Sequence, residues 1–171
     1  NLFQVEVFLK RKIIFENGEC FTVYPDIPFA LYSPSISKIM SFEIGDSKIM
    51  TIENLTSFNR IKESETFFIF LSGYHNSVKQ KFLEKIYQQN SNKIYFHFGD
   101  IDPDGFFILE NLKKKTHIDF NPYKMGIEEL EKYSTFSKAL EDNDIIKATS
   151  LIEKGKFVEI MNYIYLSMEL A

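Results

Sequence analysis

From Thr66 to Leu112 the apolar positions follow four successive rhythms, and each predicts an element. Phe67 to Leu71 (FFIFL) is a short, wholly apolar run, the pattern of a strand buried on both faces of a parallel sheet. Ser77 to Gln89 then places Val78, Phe82, Leu83 and Ile86 on one helical face. Lys93 to Phe98 alternates β-branched and aromatic residues and reads as a strand. It halts at Gly99, and from Phe106 to Leu112 the spacing is helical again, which predicts a helix from Asp104 to about Lys115. Upstream, Lys48 to Ile52 is a strand that ends at Glu53-Asn54. Strand–Glu, strand–helix, strand–Asp-x-Asp–helix is a succession of βα units, so the fold class is α/β with a parallel sheet flanked by helices.

The flanks follow other patterns. Phe3, Val5, Val7 and Leu9 alternate, Glu16-Asn17-Gly18-Glu19 suits a hairpin turn, and Cys20 to Tyr24 returns, so residues 3–24 predict a β-hairpin. Lys10-Arg11-Lys12 within it reads as a solvated edge, and Cys20 as core. Pro25, Pro28 and Pro34 mark an irregular connection. The expected division is a β-rich appendage over 1–46 and the main domain over 47–171. Ser41 to Ile44, the Gly45-Asp46 turn and Lys48 to Ile52 look like a second hairpin. After the central units, His117 to Met125 predicts an edge strand interrupted by Pro122. Residues 126–133 and 136–142 predict short helices. A helix from Asn143, broken near Gly155, resumes from Lys156, with Met161, Ile164, Tyr165 and Met168 as a core-facing stripe.

Composition narrows the class. The chain has 171 residues, 44% of them hydrophobic, with 18 Phe and no Trp, enough for one packed domain. One cysteine excludes an internal disulfide framework and a cysteine zinc cage, the expectation for a reducing compartment. No run approaches a membrane span and no signal-peptide pattern opens the chain. It starts at Asn1 and its last residues keep helical spacing, as expected of a fragment. A net charge of −4 does not advertise nucleic-acid binding, although a bridging metal and local lysine clusters can carry phosphate contacts.

The candidate chemistry sits in Gly99-Asp100-Ile101-Asp102-Pro103-Asp104-Gly105. Three carboxylates at i, i+2 and i+4 fall where a strand becomes a helix. Residues two apart on an extended chain point to the same side, and like charges held that close repel unless a cation lies between them. Mg²⁺ is commonly held by one or two carboxylates with phosphate oxygens and water. A helix-loop-helix calcium loop shares Asp-x-Asp-x-Asp-Gly, but its closing Glu falls here on Asn111. Helix capping by Asp104 is the plain alternative, and it needs one carboxylate rather than three. Glu53 alone would be an ordinary turn or helix-start residue. In a parallel sheet, however, sites collect beyond the carboxyl ends of the strands, so Glu53, the Gly73–Asn76 turn and Asp100/Asp102 are expected on one rim.

A strand-terminal Glu followed about fifty positions later by a strand-terminal Asp-x-Asp resembles the Toprim fold (Rossmann-like) of topoisomerases, primases and some nucleases. TIENLTSF (51–58), FIFLSGYHN (68–76), YFHFGDIDPDGFFIL (95–109) and HIDFNPYKMGIEEL (117–130) resemble more closely the C-terminal Toprim domain of the JetD family, the nuclease subunits of bacterial Wadjet plasmid-defence systems. The likeness covers residues 48 to 171. Asp-x-Asp-Pro-x-Gly is also similar to the topoisomerase VI A subunit, whose cleaving tyrosine lies on a winged-helix domain that has no counterpart in this sequence.

The resemblance implies metal-dependent cleavage of DNA phosphodiesters. Asp100 and Asp102 would hold Mg²⁺ or Mn²⁺, and Glu53 would be a third ligand or a general acid or base. Asp104, Gly105 and His75 are supporting candidates, His97 reads as packed, and Lys113, Lys114 and Lys115 could track a DNA backbone. The implied partners are DNA and the subunits of an SMC-type, condensin-like complex, with a homodimer in the full-length protein, in the bacterial cytoplasm and with no membrane. Two other classes stay open: a module that binds DNA or a partner without cutting, and a phosphohydrolase with Asp100 as nucleophile.

Overall fold

The structure, a computed structural model, describes residues 11–24, 27–71, 77–136 and 139–169. Two sheets organise it. The first is antiparallel, in the order β2-β1-β3, from β1 (Arg11–Phe15), β2 (Cys20–Thr22) and β3 (Ile39–Ile44). The second is parallel and four-stranded, in the order β5-β4-β6-β7, from β4 (Lys48–Ile52), β5 (Thr66–Phe70), β6 (Ile94–Phe98) and β7 (Phe120–Pro122). The α/β class with a small N-terminal antiparallel sheet and C-terminal helices is thus the architecture found.

Around the sheets lie α1 (Ser33–Ser37), α2 (Leu55–Arg60), α3 (Ser77–Asn90), α4 (Pro103–Thr116), α5 (Ile127–Lys132), α6 (Asp142–Glu153) and α7 (Val158–Glu169), with a 3₁₀ turn at Ser134–Phe136. None of these helices is long and apolar enough to cross a membrane. The strand Phe3–Leu9 and the Gly73–Asn76 turn lie outside the described residues.

The second hairpin is a correction. β3 and β4 do not pair with each other: β3 lies against β1, while β4 sits between β5 and β6. Burial explains the split. From Ile49 to Ile52 every residue of β4 is buried, so the strand must be covered on both faces, as a central parallel strand is. β3 instead alternates, with Ile39, Phe42 and Ile44 inward and Met40 and Glu43 exposed.

Lys10-Arg11-Lys12 as a solvated edge also fails at Arg11. β1 is a central strand, and Arg11 is buried in a two-pronged ion pair with buried Asp46, with Nε to Oδ2 at 2.6 Å. The guanidinium also donates to Thr66 O, at 3.1 Å, which ties the antiparallel sheet to the start of β5. A planar fork matching a carboxylate compensates the desolvation of both charges. Cys20 is exposed, not core, because β2 is a fully exposed edge strand.

α4 is the spine of the interior. Its Leu109 and Leu112 join Ile49, Ile69, Tyr95, Leu83 and Ile86 between sheet and helices. Its Phe106 faces a second cluster with Met125, Ala148, Leu151 and Met161 from α6, α7 and the segment after β7. Truncating any of these large side chains to Ala should cost about 2–5 kcal/mol. Of the expected stripe on α7, Met161 and Ile164 are buried and Tyr165 is largely outside; the side chain of Met168 lies outside the description. Gly155, at φ +65°, makes the break between α6 and α7.

Candidate functional site

The strand order contains one reversal. β4 is followed in sequence by β5 on one side, whereas β6 and β7 are added on the other. At such a switch point the flanking connections leave in opposite directions and open a crevice beyond the carboxyl ends of the two strands. Those strands are β4 and β6, paired in register with Ile52 against Phe98. Glu53 is the next residue after β4, and its backbone N–H donates to Phe98 O at 3.1 Å. Gly99 and Asp100 are the next residues after β6.

Gly99 explains how Glu53 fits. A Cβ at position 99 would overlap Glu53 Oε2 and lie 2.9 Å from His97 Nε2. Only glycine leaves that volume to the carboxylate, whose side chain is 10% exposed. Behind it, His97 is fully buried, its Nε2 3.7 Å from Glu53 Oε2 and its Nδ1 2.9 Å from Thr51 Oγ1.

Asp102 is the N-cap of α4, with Oδ1 accepting from the Gly105 N–H at 2.7 Å. Pro103 occupies the first helical position, where the missing N–H is no loss. A Cβ at Gly105 would overlap Asp100 O, so this glycine lets the helix start press against the strand-end loop. Burial pushes the Asp102 carboxyl above its ordinary range; the bond from Gly105 opposes this, and the charges of Asp100, Asp104 and Asp144 add to the upward push. Asp104 pairs with Lys147 of α6.

Next to Asp100 lies a cleft of ≈ 340 Å³, lined by Asn54 and Ser57 at the start of α2, Gly99 and Asp100, and Lys124, Glu129 and Lys132. Asn54 caps α2, accepting from the N–H groups of Thr56 (2.8 Å) and Ser57 (3.2 Å). Lys124 is held in the left-handed region (φ +50°), 3.5 Å from Glu63, and its ammonium lies over the ring of Tyr123. The Tyr123 hydroxyl donates to Glu63 and holds that carboxyl below its ordinary range. Sequence reasoning missed both lysines and the Thr51–His97 pair. The signal for Lys124 was available, because it follows an edge strand of the same parallel sheet and so reaches the same rim.

The sequence candidates therefore divide. Glu53, Asp100 and Asp102 lie at one rim, with Asp104 in the first turn of α4 beside them. Lys113, Lys114 and Lys115 occupy the last turn of α4, roughly 17–20 Å along the helix from Asp102 at 1.5 Å per residue. There Lys113 pairs with Asp119 at 2.7 Å. His75 lies outside the described residues. Lys79, in the first turn of α3, donates to Leu71 O just beyond β5, and burial lowers its pKa. Among the described residues, no group of three or more Asp, Glu, His or Cys side chains is gathered to hold a metal ion. Hard oxygen donors with excess negative charge are the chemistry that suits a divalent cation sharing its sphere with water and substrate, rather than one caged by protein alone.

The family model described as "Wadjet protein JetD, C-terminal" matches residues 32–157. The chain belongs to this JetD family. The Wadjet protein JetD of Bacillus cereus (strain Q1) is 26% identical over 133 residues, which cover 75% of this chain and 32% of that relative. This JetD-family chain thus spans about a third of the relative it matches, 32% of its length. The matched region contains both strand ends of the JetD switch point, Glu53 and Asp100, and the cleft lysines Lys124 and Lys132.

Proposed function

We propose that this chain is the Toprim domain of a metal-dependent DNA endonuclease, the cutting subunit of an SMC-type plasmid-defence complex. The observation that carries this reading is the placing of Glu53 and Asp100 on adjacent strand ends at the switch point of the parallel sheet, in a chain of the JetD family. Glu53, Asp100 and Asp102 would hold Mg²⁺ or Mn²⁺. Asp102 can do so while capping α4, since Oδ1 takes the Gly105 N–H and a carboxylate has a second oxygen. When bound, the cation supplies charge neutralisation at the phosphate and a more acidic water.

The remaining work falls to the chain itself. Lys124 and Lys132 line the same cleft as Asp100, together with Glu129, and would meet phosphate oxygens of a strand lying there. Gly99 leaves room at the rim for the Glu53 carboxylate. If Glu53 stays outside the metal's sphere, its free oxygen can take a proton from the attacking water.

A chain with net charge −4 neutralises few phosphates and should grip DNA weakly, with steep salt dependence. DNA would therefore be presented by the SMC partners to a full-length homodimer in the bacterial cytoplasm.

The test is plasmid cleavage by the full-length protein with its SMC partners in Mg²⁺ or Mn²⁺. Glu53→Ala and Asp100→Ala should each remove cleavage without changing the circular dichroism spectrum, and a complex that still cuts with either substitution refutes the assignment. A second reading, a Toprim module that binds without cutting, is favoured by the absence of a gathered three-ligand set among the described residues. A wild-type complex that retains DNA yet never cuts it would select that reading.

A further inference from the structure

His97 lies within β6, fully buried, and meets the neighbouring strand at two points. Register places it opposite Thr51, whose Oγ1 is 2.9 Å from Nδ1. Its other nitrogen, Nε2, is 3.7 Å from Glu53 Oε2 and has no hydrogen-bond partner among the described residues. Thr51 and Glu53 are two residues apart on an extended chain, so both face the same side and can bracket one ring.

A buried polar atom left unpaired costs about 1–3 kcal/mol. Here the sign of the remaining contact depends on which nitrogen carries the hydrogen. A bare lone pair on Nε2 would face a carboxylate oxygen and repel it. An N–H there attracts the same oxygen, and an approach of about 0.8–1 Å would close a charge-assisted hydrogen bond. That tautomer needs a donor for Nδ1, and the Thr51 hydroxyl is in place. Its competing acceptor, Phe96 O, is farther away at 3.3 Å.

We infer that Thr51 and His97 form a buried positioning relay for Glu53. The threonine hydroxyl fixes the imidazole as the Nε2–H tautomer, and that N–H holds Oε2 in the volume left by Gly99, leaving Oε1 for a cation or a water. His97 is a positioning residue, touching neither substrate nor metal. Groups that orient a ligating carboxylate in this way are worth about 10–100-fold in metal affinity or activity. The tautomer is independent of the nuclease reading; its effect on cleavage rests on that reading.

Only three histidines occur in the chain, so ring-¹⁵N labelling gives a simple spectrum, and His97→Gln identifies the His97 signals. In the metal-free protein, Nε2 should show the pyrrole-type shift and Nδ1 the pyridine-type shift. Thr51→Val, isosteric but without the donor, should move the ring away from that tautomer. An Nδ1–H ring in the wild type, or a spectrum unchanged by Thr51→Val, overturns the relay. In the full-length complex, His97→Leu should lower Mn²⁺ affinity and cleavage by about 10–100-fold. His97→Gln, which keeps an N–H at the reach of Nε2, should restore most of the loss. Equal behaviour of the Leu and Gln variants would reduce His97 to a core residue. A wild-type complex that never cuts, with the Nε2–H tautomer present, would count against the nuclease reading and leave the relay standing.

Discussion

Glu53 Oε2 occupies the volume in which a side chain at Gly99 would begin. The two residues end adjacent parallel strands, and neither position can be understood without the other. The glycine is needed for the carboxylate's place rather than for backbone freedom, since Gly99 is not among the positive-φ residues.

Gly99→Ala should therefore damage the site more than the fold. The new methyl meets the tip of the Glu53 side chain, which can swing away, and the edge of the buried His97 ring at 2.9 Å, so the loss of stability should stay within the roughly 1–3 kcal/mol typical of overpacking. Mn²⁺ affinity, measured by calorimetry, should drop about as far as in Glu53→Ala. A Gly99→Ala protein that binds Mn²⁺ like wild type would show that Oε2 need not sit there.

Gly105→Ala should behave in the opposite way. Alanine would ordinarily gain about 1 kcal/mol over glycine in a helix. Here its Cβ would overlap Asp100 O, a backbone atom that cannot step aside. A net loss of about 1–3 kcal/mol in urea unfolding is expected. Stabilisation by this substitution would mean the contact is loose.

Arg11→Ala or Asp46→Ala should each cost about 3–5 kcal/mol, because either leaves a buried charge unpaired. The double substitution Arg11→Met with Asp46→Leu should recover much of that loss. Urea denaturation of the three variants decides it: additive losses in the double variant would mean that the residues do not act as a pair.

Asp102→Asn should be as stable as wild type or more so in metal-free buffer, since Asn also caps helices. The sign follows from the raised carboxyl pKa: the folded chain binds the proton more tightly than the unfolded one. Stability of the wild type should thus fall as pH rises from the ordinary aspartate value through the raised one, and Asp102→Asn should lack that slope. In Mg²⁺ at about 100 times Kd the wild type should gain ~2.7 kcal/mol, and the variant should gain much less. A variant that melts far below wild type without metal would assign Asp102 to structure alone.

The sequence by itself determined the βα order, the parallel sheet and the Glu…Asp-x-Asp rim, because these depend on local signals. FFIFL and IYFHF carry the aromatic and β-branched residues of strands, although Phe70 on the edge strand β5 and Ile94 at the start of β6 stay exposed, and Pro103 with Gly105 starts a helix wherever it lies. The edge strand at Pro122 was legible for the same reason, since proline cannot serve a central ladder. What the tertiary structure alone decided were the partners. Ser41–Ile44 and Lys48–Ile52 look like a hairpin across Gly45-Asp46, but pairing is a contest over distant surfaces. β4 is buried along nearly its whole length and was claimed by β5 and β6, while Asp46 turned inward to Arg11. Likewise, a run of three basic residues carries no mark showing that its middle one meets a buried carboxylate thirty-five positions away. Nor does a histidine in a strand announce Thr51 on one nitrogen and Glu53 near the other. Those contacts exist because parallel register sets Thr51 opposite His97 and Ile52 opposite Phe98, and register is a property of two strands together.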